Sequence, residues 1–236
     1  MIRLAGIIIF VVIHTFVMAV AAIISSLFGS YTRCTNGIIR LWAKGILWFS
    51  GIKMEVEGLE NIEPGKPYIY IANHQSNFDI LACAYAIPGT ARFVAKKELF
   101  KIPLFAQSMR MAGMIPIDRG KSAEARRTLD MAIDKVRQGV SLILFPEGTR
   151  SLDGAIHDFK KGSFVLAING RFDIMPMCIC GSRHIMPKNS LKLNKGRIKV
   201  QFLAPVSTKD YTMDDRNVLV ETVRNQIMAR FDPDYH

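Results

Sequence analysis

From Leu4 to Phe28 the chain carries no Asp, Glu, Lys or Arg. As a helix rising about 1.5 Å per residue, that run outlasts the roughly 30 Å hydrocarbon core of a bilayer. A cleaved signal peptide, the main competing reading, has a much shorter apolar region, so the run reads as a retained membrane anchor. His14, inside it, reads as a neutral histidine at an interface or a helix contact. The next segment, Ile38 to Ile52, sets Ile38, Leu41, Trp42, Ile46 and Phe49 at helical spacing with Arg40 and Lys44 on another side, the pattern of an interfacial helix with Trp42 and Trp48 as anchors.

From Pro67 onward, short apolar runs alternate with helical periodicities, which predicts an α/β fold: a mostly parallel central sheet flanked by helices, behind an N-terminal membrane-attachment helical segment. Strands are predicted at Tyr68 to Ala72, Ala91 to Ala95, Met114 to Ile117, Ser141 to Phe145, Ile174 to Cys180 and Ile198 to Phe202. Helices are predicted at Asp79 to Ile87, Leu104 to Met111, Gly162 to Ile168 and Met213 to Phe231, with Pro103 in the first turn of the second. A further helix runs from an N-cap at Ser122 to about Arg137 and leaves through Gly139. The chain divides into an anchor and interfacial helix over 1–52 and a single catalytic domain over 53–236.

Charge sharpens the picture. The 236 residues hold 31 Lys and Arg against 20 Asp and Glu, a formal net charge of +11, which calls for a polyanionic partner: nucleic acid, anionic lipid or a phosphorylated substrate. Arg33, Arg40 and Lys44 follow the anchor and Arg3 precedes it, so the positive-inside bias leaves the main domain in the cytoplasm. Cys34, Cys83, Cys178 and Cys180 suit a reducing compartment, and Cys178 and Cys180, within an apolar run, read as core.

Chemistry concentrates where predicted strands end. Asn73-His74-Gln75-Ser76-Asn77-Phe78-Asp79 follows the first buried strand, and strand ends in such sheets are where sites form. On one continuous helix His74 and Asp79 would point about 140° apart, so contact requires a turn, which Ser76 and Asn77 supply. Asp79 then fixes the imidazole tautomer and leaves the other ring nitrogen to take a proton from a hydroxyl. No G-x-S-x-G elbow is present and Ser76 is too close in sequence to serve, so the attacking hydroxyl belongs to the substrate. Phe145-Pro146-Glu147-Gly148-Thr149-Arg150-Ser151 also follows a strand, and joins a permissive glycine, a hydroxyl, a guanidinium and a carboxylate into a phosphate cradle. Gly113 to Arg119 ends a third strand with Arg119, able to reach the same phosphate, although taken alone the stretch reads equally as a surface turn. Gly120-Lys121-Ser122 resembles the end of a P-loop but has Ile115 where glycine is needed, which argues against nucleotide binding.

These ordered blocks resemble those of the glycerolipid acyltransferase family, in the branch acting on 1-acyl-sn-glycerol-3-phosphate. Asn73 to Asp79 is similar to the family's N-H-x-S-x-x-D block and Phe145 to Ser151 to its F-P-E-G-T-R-S block. Gly113 to Arg119 and the apolar stretch around Pro176 correspond to two weaker ones, the former departing at Pro116 and Ile117. The resemblance covers roughly Pro67 to Cys180. It implies transfer of an acyl group from an acyl thioester, acyl-CoA or acyl carrier protein, to lysophosphatidic acid, with no cofactor and no metal. It implies His74 as base, Asp79 as its orienting partner, and Arg119, Gly148, Thr149 and Arg150 around the phosphate, at the inner membrane with the catalytic domain on the cytoplasmic face. No nucleic acid is expected as partner.

Glu147 is read as a support that holds Arg119, Arg150 or a lysine. Lys96 and Lys97 either add positive potential or are solvated surface, and Met109, Met111 and Met114 read as core before acyl groove. Acylation of another lysolipid, such as lyso-ornithine lipid, or of glycerol 3-phosphate is the alternative within the enzyme class. A membrane-anchored lipid-binding protein explains the charge and the anchor but neither of the two specific blocks.

Overall fold

The computed structural model describes residues 2–117, 122–190 and 192–236. Two helices open the chain, α1 (Ile2–Ser26) and α2 (Arg33–Ser50). Strand β1 (Ile52–Glu57) follows, then β2 (Ile69–Ala72), α3 (Phe78–Ala86), β3 (Ala91–Lys96), α4 (Phe105–Met111), β4 (Ile115–Ile117), α5 (Ser122–Arg137) and β5 (Ser141–Leu144). The chain closes with α6 (Gly162–Gly170), β6 (Ile174–Cys180), the short α7 (Ser182–Ile185), β7 (Gly196–Phe202) and α8 (Arg216–Met228). The expected elements are present within a few residues, except that Pro103 stands before α4 and not in its first turn. Among the described strands and α-helices two are additions: α7, and β1, whose Ile-Lys-Met-Glu-Val-Glu alternation marks a half-exposed edge strand.

The seven strands lie in the order β1-β7-β6-β2-β5-β3-β4. Five of them, β6, β2, β5, β3 and β4, run parallel. The β7–β1 pair is parallel within itself and joins antiparallel to β6. The parallel strands β2, β5 and β6 are almost entirely buried, as strands covered on both faces must be. One face packs on α2 and α3 through Ala43, Ile46, Leu47, Leu81 and Cys83. The other packs on α5, α6 and α8 through Ala132, Val136, Phe164, Leu219 and Val223.

Helix α1 lies along α2 and α4. His14 is indeed a helix contact: its Nε2 lies 3.2 Å from the Trp42 carbonyl, and a side chain at Gly45 would collide with its ring. Trp48 is 75% exposed, in keeping with an anchor, whereas Trp42 turns inward and donates its indole N–H to Thr15 Oγ1 at 3.0 Å. Outward, α1 exposes Ile8, Ile9, Val12, Ile13 and Phe16. A contiguous apolar face of that kind is a membrane or partner surface, not a solvated one.

Candidate active site

Strand β2 delivers the chain into the site through Asn73, whose buried amide imitates a ladder rung. Its Nδ2 donates to the Ile179 carbonyl and its Oδ1 accepts from the Ile179 amide, each at 2.8 Å. That pairing fixes the end of β2 against β6 just where the backbone must leave the sheet. The turn that follows closes on Asp79. Its Oδ2 accepts from the amides of Gln75 at 2.7 Å and Ser76 at 2.8 Å, and from Nδ1 of His74 at 2.8 Å. Asp79 is wholly buried, and a buried carboxylate needs such donors to stay in place.

With Nδ1 donating to Asp79, His74 carries its other nitrogen, Nε2, as an acceptor. Among the described residues Nε2 has no hydrogen-bond partner, and the ring stacks on Phe145 with centroids 4.1 Å apart and planes 17° apart. The imidazole is therefore fixed at three points: carboxylate, aromatic face and its own backbone. A ring so held can accept a proton at Nε2 while Asp79 stabilises the cation that results.

The loop after β5 is stitched to the same turn. The amide of His74 donates to Glu147 Oε1 at 2.6 Å, and the Ser151 amide donates to the His74 carbonyl at 2.9 Å. Glu147 Oε2 accepts from the His157 amide at 3.3 Å. Burial pushes the Glu147 carboxyl above its ordinary value of 4.5, and the amides of His74 and His157 offset part of that rise. Among the described residues the hydrogen-bond partners of Glu147 are the backbone amides of His74 and His157, not the arginine or lysine expected.

Gly148 adopts φ +76°, and a Cβ there would lie 2.9 Å from Lys160 Nζ. Lys188 Nζ donates to Thr149 Oγ1 at 2.9 Å and to the Arg150 carbonyl at 2.8 Å. Ser76 Oγ donates to the Met186 carbonyl at 2.7 Å, so the segment Met186 to Lys188 straps both loops together. Arg119 lies outside the described residues. Lys160 and Lys188 escaped the sequence reading because neither sits in a motif; their positive charge was visible, their position was not.

His74 opens onto a cavity of about 1380 Å³, mostly apolar, with Lys96, Arg150 and Lys160 among its charged walls. Met109 and Met114 line it, while Met111 does not. Cys178 and Cys180, with sulfurs 3.7 Å apart, are buried elsewhere in β6 as core.

Comparison with known proteins agrees with this geometry. Residues 53–180 match the family model described as Acyltransferase. Human 1-acyl-sn-glycerol-3-phosphate acyltransferase alpha is 32% identical over 195 residues, covering 82% of this chain and 69% of the relative. The 1-acyl-sn-glycerol-3-phosphate acyltransferase of Limnanthes alba is 35% identical over 181 residues, 76% of this chain and 64% of its own length. The crystal structure of the 1-acyl-sn-glycerophosphate (LPA) acyltransferase PlsC from Thermotoga maritima superposes with a TM-score of 0.75 at 29% identity, over 94% of this chain and 95% of that one. Fold, ordered blocks and relatives converge, and the chain belongs to the acyltransferase family.

Proposed function

We propose that this protein transfers an acyl group from an acyl thioester to the sn-2 hydroxyl of 1-acyl-sn-glycerol-3-phosphate, making phosphatidic acid, with His74 as general base. The observation that carries the reading is the His74–Asp79 pair, 2.8 Å apart, at the wall of a large apolar cavity flanked by cations. Nε2 of His74 removes the hydroxyl proton as that oxygen attacks the thioester carbonyl. The tetrahedral oxyanion collapses, the C–S bond breaks, and the departing thiolate takes the proton back from the imidazolium. No acyl-enzyme forms, and no metal or prosthetic group has a step in the sequence. General-base catalysis of this kind supplies about 10² to 10⁴ in rate.

The glycerol phosphate is held by Arg150 and Lys160 beside Gly148 and Thr149, with Arg119 as a further cation for the same phosphate. Lys96, at the same cavity, adds positive potential. The exposed apolar face of α1 seats the protein on the membrane with the catalytic domain on the cytoplasmic side, where acyl-CoA or acyl carrier protein delivers the donor.

The test is transfer of a labelled acyl group from each donor to 1-acyl-glycerol-3-phosphate, comparing intact protein with His74→Ala. Phosphatidic acid formed by the first and lost in the second is the expected result. No diacylated product from folded, membrane-bound protein would overturn the acceptor and direct the assay to lyso-ornithine lipid and glycerol 3-phosphate.

A further inference from the structure

We infer that Tyr235 and His236, neither of which lines the cavity, are positioning residues for the loop of Thr149 and Arg150, acting on it through α7. The short α7 and the residues after it hold both loops of the site. Arg183 Nη2 donates to the Leu152 carbonyl at 3.0 Å, and a Cβ at Gly154 would lie 3.1 Å from its guanidinium. The Met186 carbonyl accepts from Ser76 Oγ, and Lys188 Nζ donates to Thr149 Oγ1 and to the Arg150 carbonyl. Ser151, between those anchors, donates its amide to the His74 carbonyl. Whatever sets α7 therefore sets Thr149 and Arg150 relative to His74.

A helix of four residues does not hold itself. On its inner side Ile185 is buried in the core under α2 and α3. Asn194 donates its amide to the Ile185 carbonyl at 3.0 Å and its Nδ2 to the His184 carbonyl at 2.8 Å. On its outer side the partner is the segment after α8. The His184 ring stacks on His236, with centroids 5.0 Å apart and planes 29° apart. Tyr235 packs at Gly181, from which α7 springs. Gly181 adopts φ +85°, and a Cβ there would lie 3.0 Å from Tyr235 Cδ1 and collide with the Arg197 carbonyl. The segment is itself fastened to β6 and β7. The Asp232 amide donates to Cys180 Sγ at 3.4 Å, and Arg197 Nε donates to the His236 carbonyl at 3.4 Å. Lys199 Nζ lies 4.6 Å and the Arg197 guanidinium 5.5 Å from the centre of the Tyr235 ring, both cation–π contacts.

A segment that only added stability would spread its contacts along the sheet edge. These converge on the turn that carries Arg183, at Gly181 before it and His184 within it. One aromatic contact is worth a factor of about 2 to 12 in an equilibrium. That is too little to decide whether the domain folds, and enough to shift where a one-turn helix sits. The inference rests on the proposed reaction in one respect: Thr149 and Arg150 are read as contacts of the acceptor's phosphate, so a displaced loop weakens lysolipid binding first.

The test is the KM for lysophosphatidic acid in His236→Ala and Tyr235→Ala, beside His236→Phe and Tyr235→Phe, which keep a ring. Each alanine variant raises that KM by about threefold to tenfold, the equivalent of one aromatic contact. Its kcat stays within about twofold, because His74 keeps its bond to Asp79. Each phenylalanine variant stays within about twofold of wild type in both constants. The alanine substitutions add less in Lys188→Met protein than they do alone, since the strap through which they act is already cut. Thermal unfolding checks each variant, and His236 is exposed, so its removal carries the test should Tyr235→Ala not fold. Hydrogen exchange of the Ser151 amide needs no substrate and quickens in the alanine variants. Folded alanine variants with wild-type KM and wild-type exchange, or effects that multiply in full with that of Lys188→Met, overturn the inference. Wild-type protein that does not turn over lysophosphatidic acid counts against the proposed acceptor, and the exchange rates then decide the positioning role by themselves.

Discussion

The backbone amide of His74 donates to Oε1 of Glu147 at 2.6 Å while the imidazole of the same residue donates to Asp79 at 2.8 Å. Two carboxylates, one from the loop after β5 and one from the first turn of α3, thus hold one histidine, one by its main chain and one by its ring. Both carboxylates are buried, and burial pushes the Glu147 carboxyl above 4.5.

That shift has a sign for stability. A carboxyl whose native pKa is raised binds its proton more tightly folded than unfolded, so its contribution is complete below the unfolded value and lost as pH rises through the native value. Glu147→Gln cannot titrate. Unfolding free energies of wild type and Glu147→Gln, measured by urea denaturation in detergent from about pH 4 to pH 8, should diverge, with wild type losing stability relative to the variant as pH rises. An opposite slope would mean that the two amide donors outweigh burial.

Asp79→Asn keeps the size of the side chain but removes the charge and lets its amide nitrogen face the imidazole, favouring the wrong tautomer. The kcat of this variant should fall by about 10² to 10⁴, the range of a lost general base, with the KM for lysolipid within about threefold because no phosphate contact has been touched. A change confined to KM would remove Asp79 from the mechanism.

Lys188 touches Thr149 Oγ1 and the Arg150 carbonyl, so it acts through the loop and not on the reacting atoms. Lys188→Met retains the apolar stem and deletes both donors, and should raise the KM for lysolipid by about fivefold to thirtyfold, the equivalent of one or two hydrogen bonds, while lowering kcat less. Lys188→Arg should recover part of the loss. Equal losses in both constants, without rescue, would mark Lys188 as structural only.

The His74–Asp79 contact was legible in the sequence because it is local: a histidine and an aspartate five positions apart, with turn formers between them, at the end of a buried run. The parallel sheet was legible for a similar reason, since strands covered on both faces read as unbroken apolar runs. What stayed hidden depends on distance along the chain. Asn73 bonds Ile179 and Glu147 bonds His74 over 106 and 73 residues, and nothing local announces either. Strand β1 was within reach: Lys53, Glu55 and Glu57 alternate with Ile52, Met54 and Val56, but the preceding helical pattern runs up to Ile52 and masks the change of period.

Gly148 is held at φ +76°, and its missing Cβ makes room for Lys160 Nζ. Gly148→Ala forces a left-handed conformation on a residue with a side chain, at a cost of about 1 to 2 kcal/mol, and pushes Lys160 aside. Unfolding measurements should show that loss, and the KM for lysolipid should rise in step because the displaced lysine belongs to the proposed phosphate site. A variant that loses stability while its KM is unchanged would separate the strain from the ligand.

Both ends of α1 are tied to the same domain. Arg3 donates to the carbonyls of Ser50 at 2.9 Å and Leu193 at 3.2 Å. At the other end Ser25 Oγ meets Thr35 Oγ1 at 2.9 Å, and the buried Arg92 donates to the Ser30 carbonyl. A helix of 25 residues spans about 37 Å at 1.5 Å per residue, enough to cross a bilayer, yet it cannot cross while the domain fastened to both its ends stays on one side. The helix should therefore lie in a single leaflet, its face of Ile8, Val12 and Phe16 toward the acyl chains. Cysteines placed singly at Ile2 and Ser30, which leave both ties in place, in protein whose four native cysteines are replaced, should both react with a membrane-impermeant maleimide from the same side of sealed vesicles. Reaction from opposite sides would mean that α1 leaves the domain and crosses the membrane.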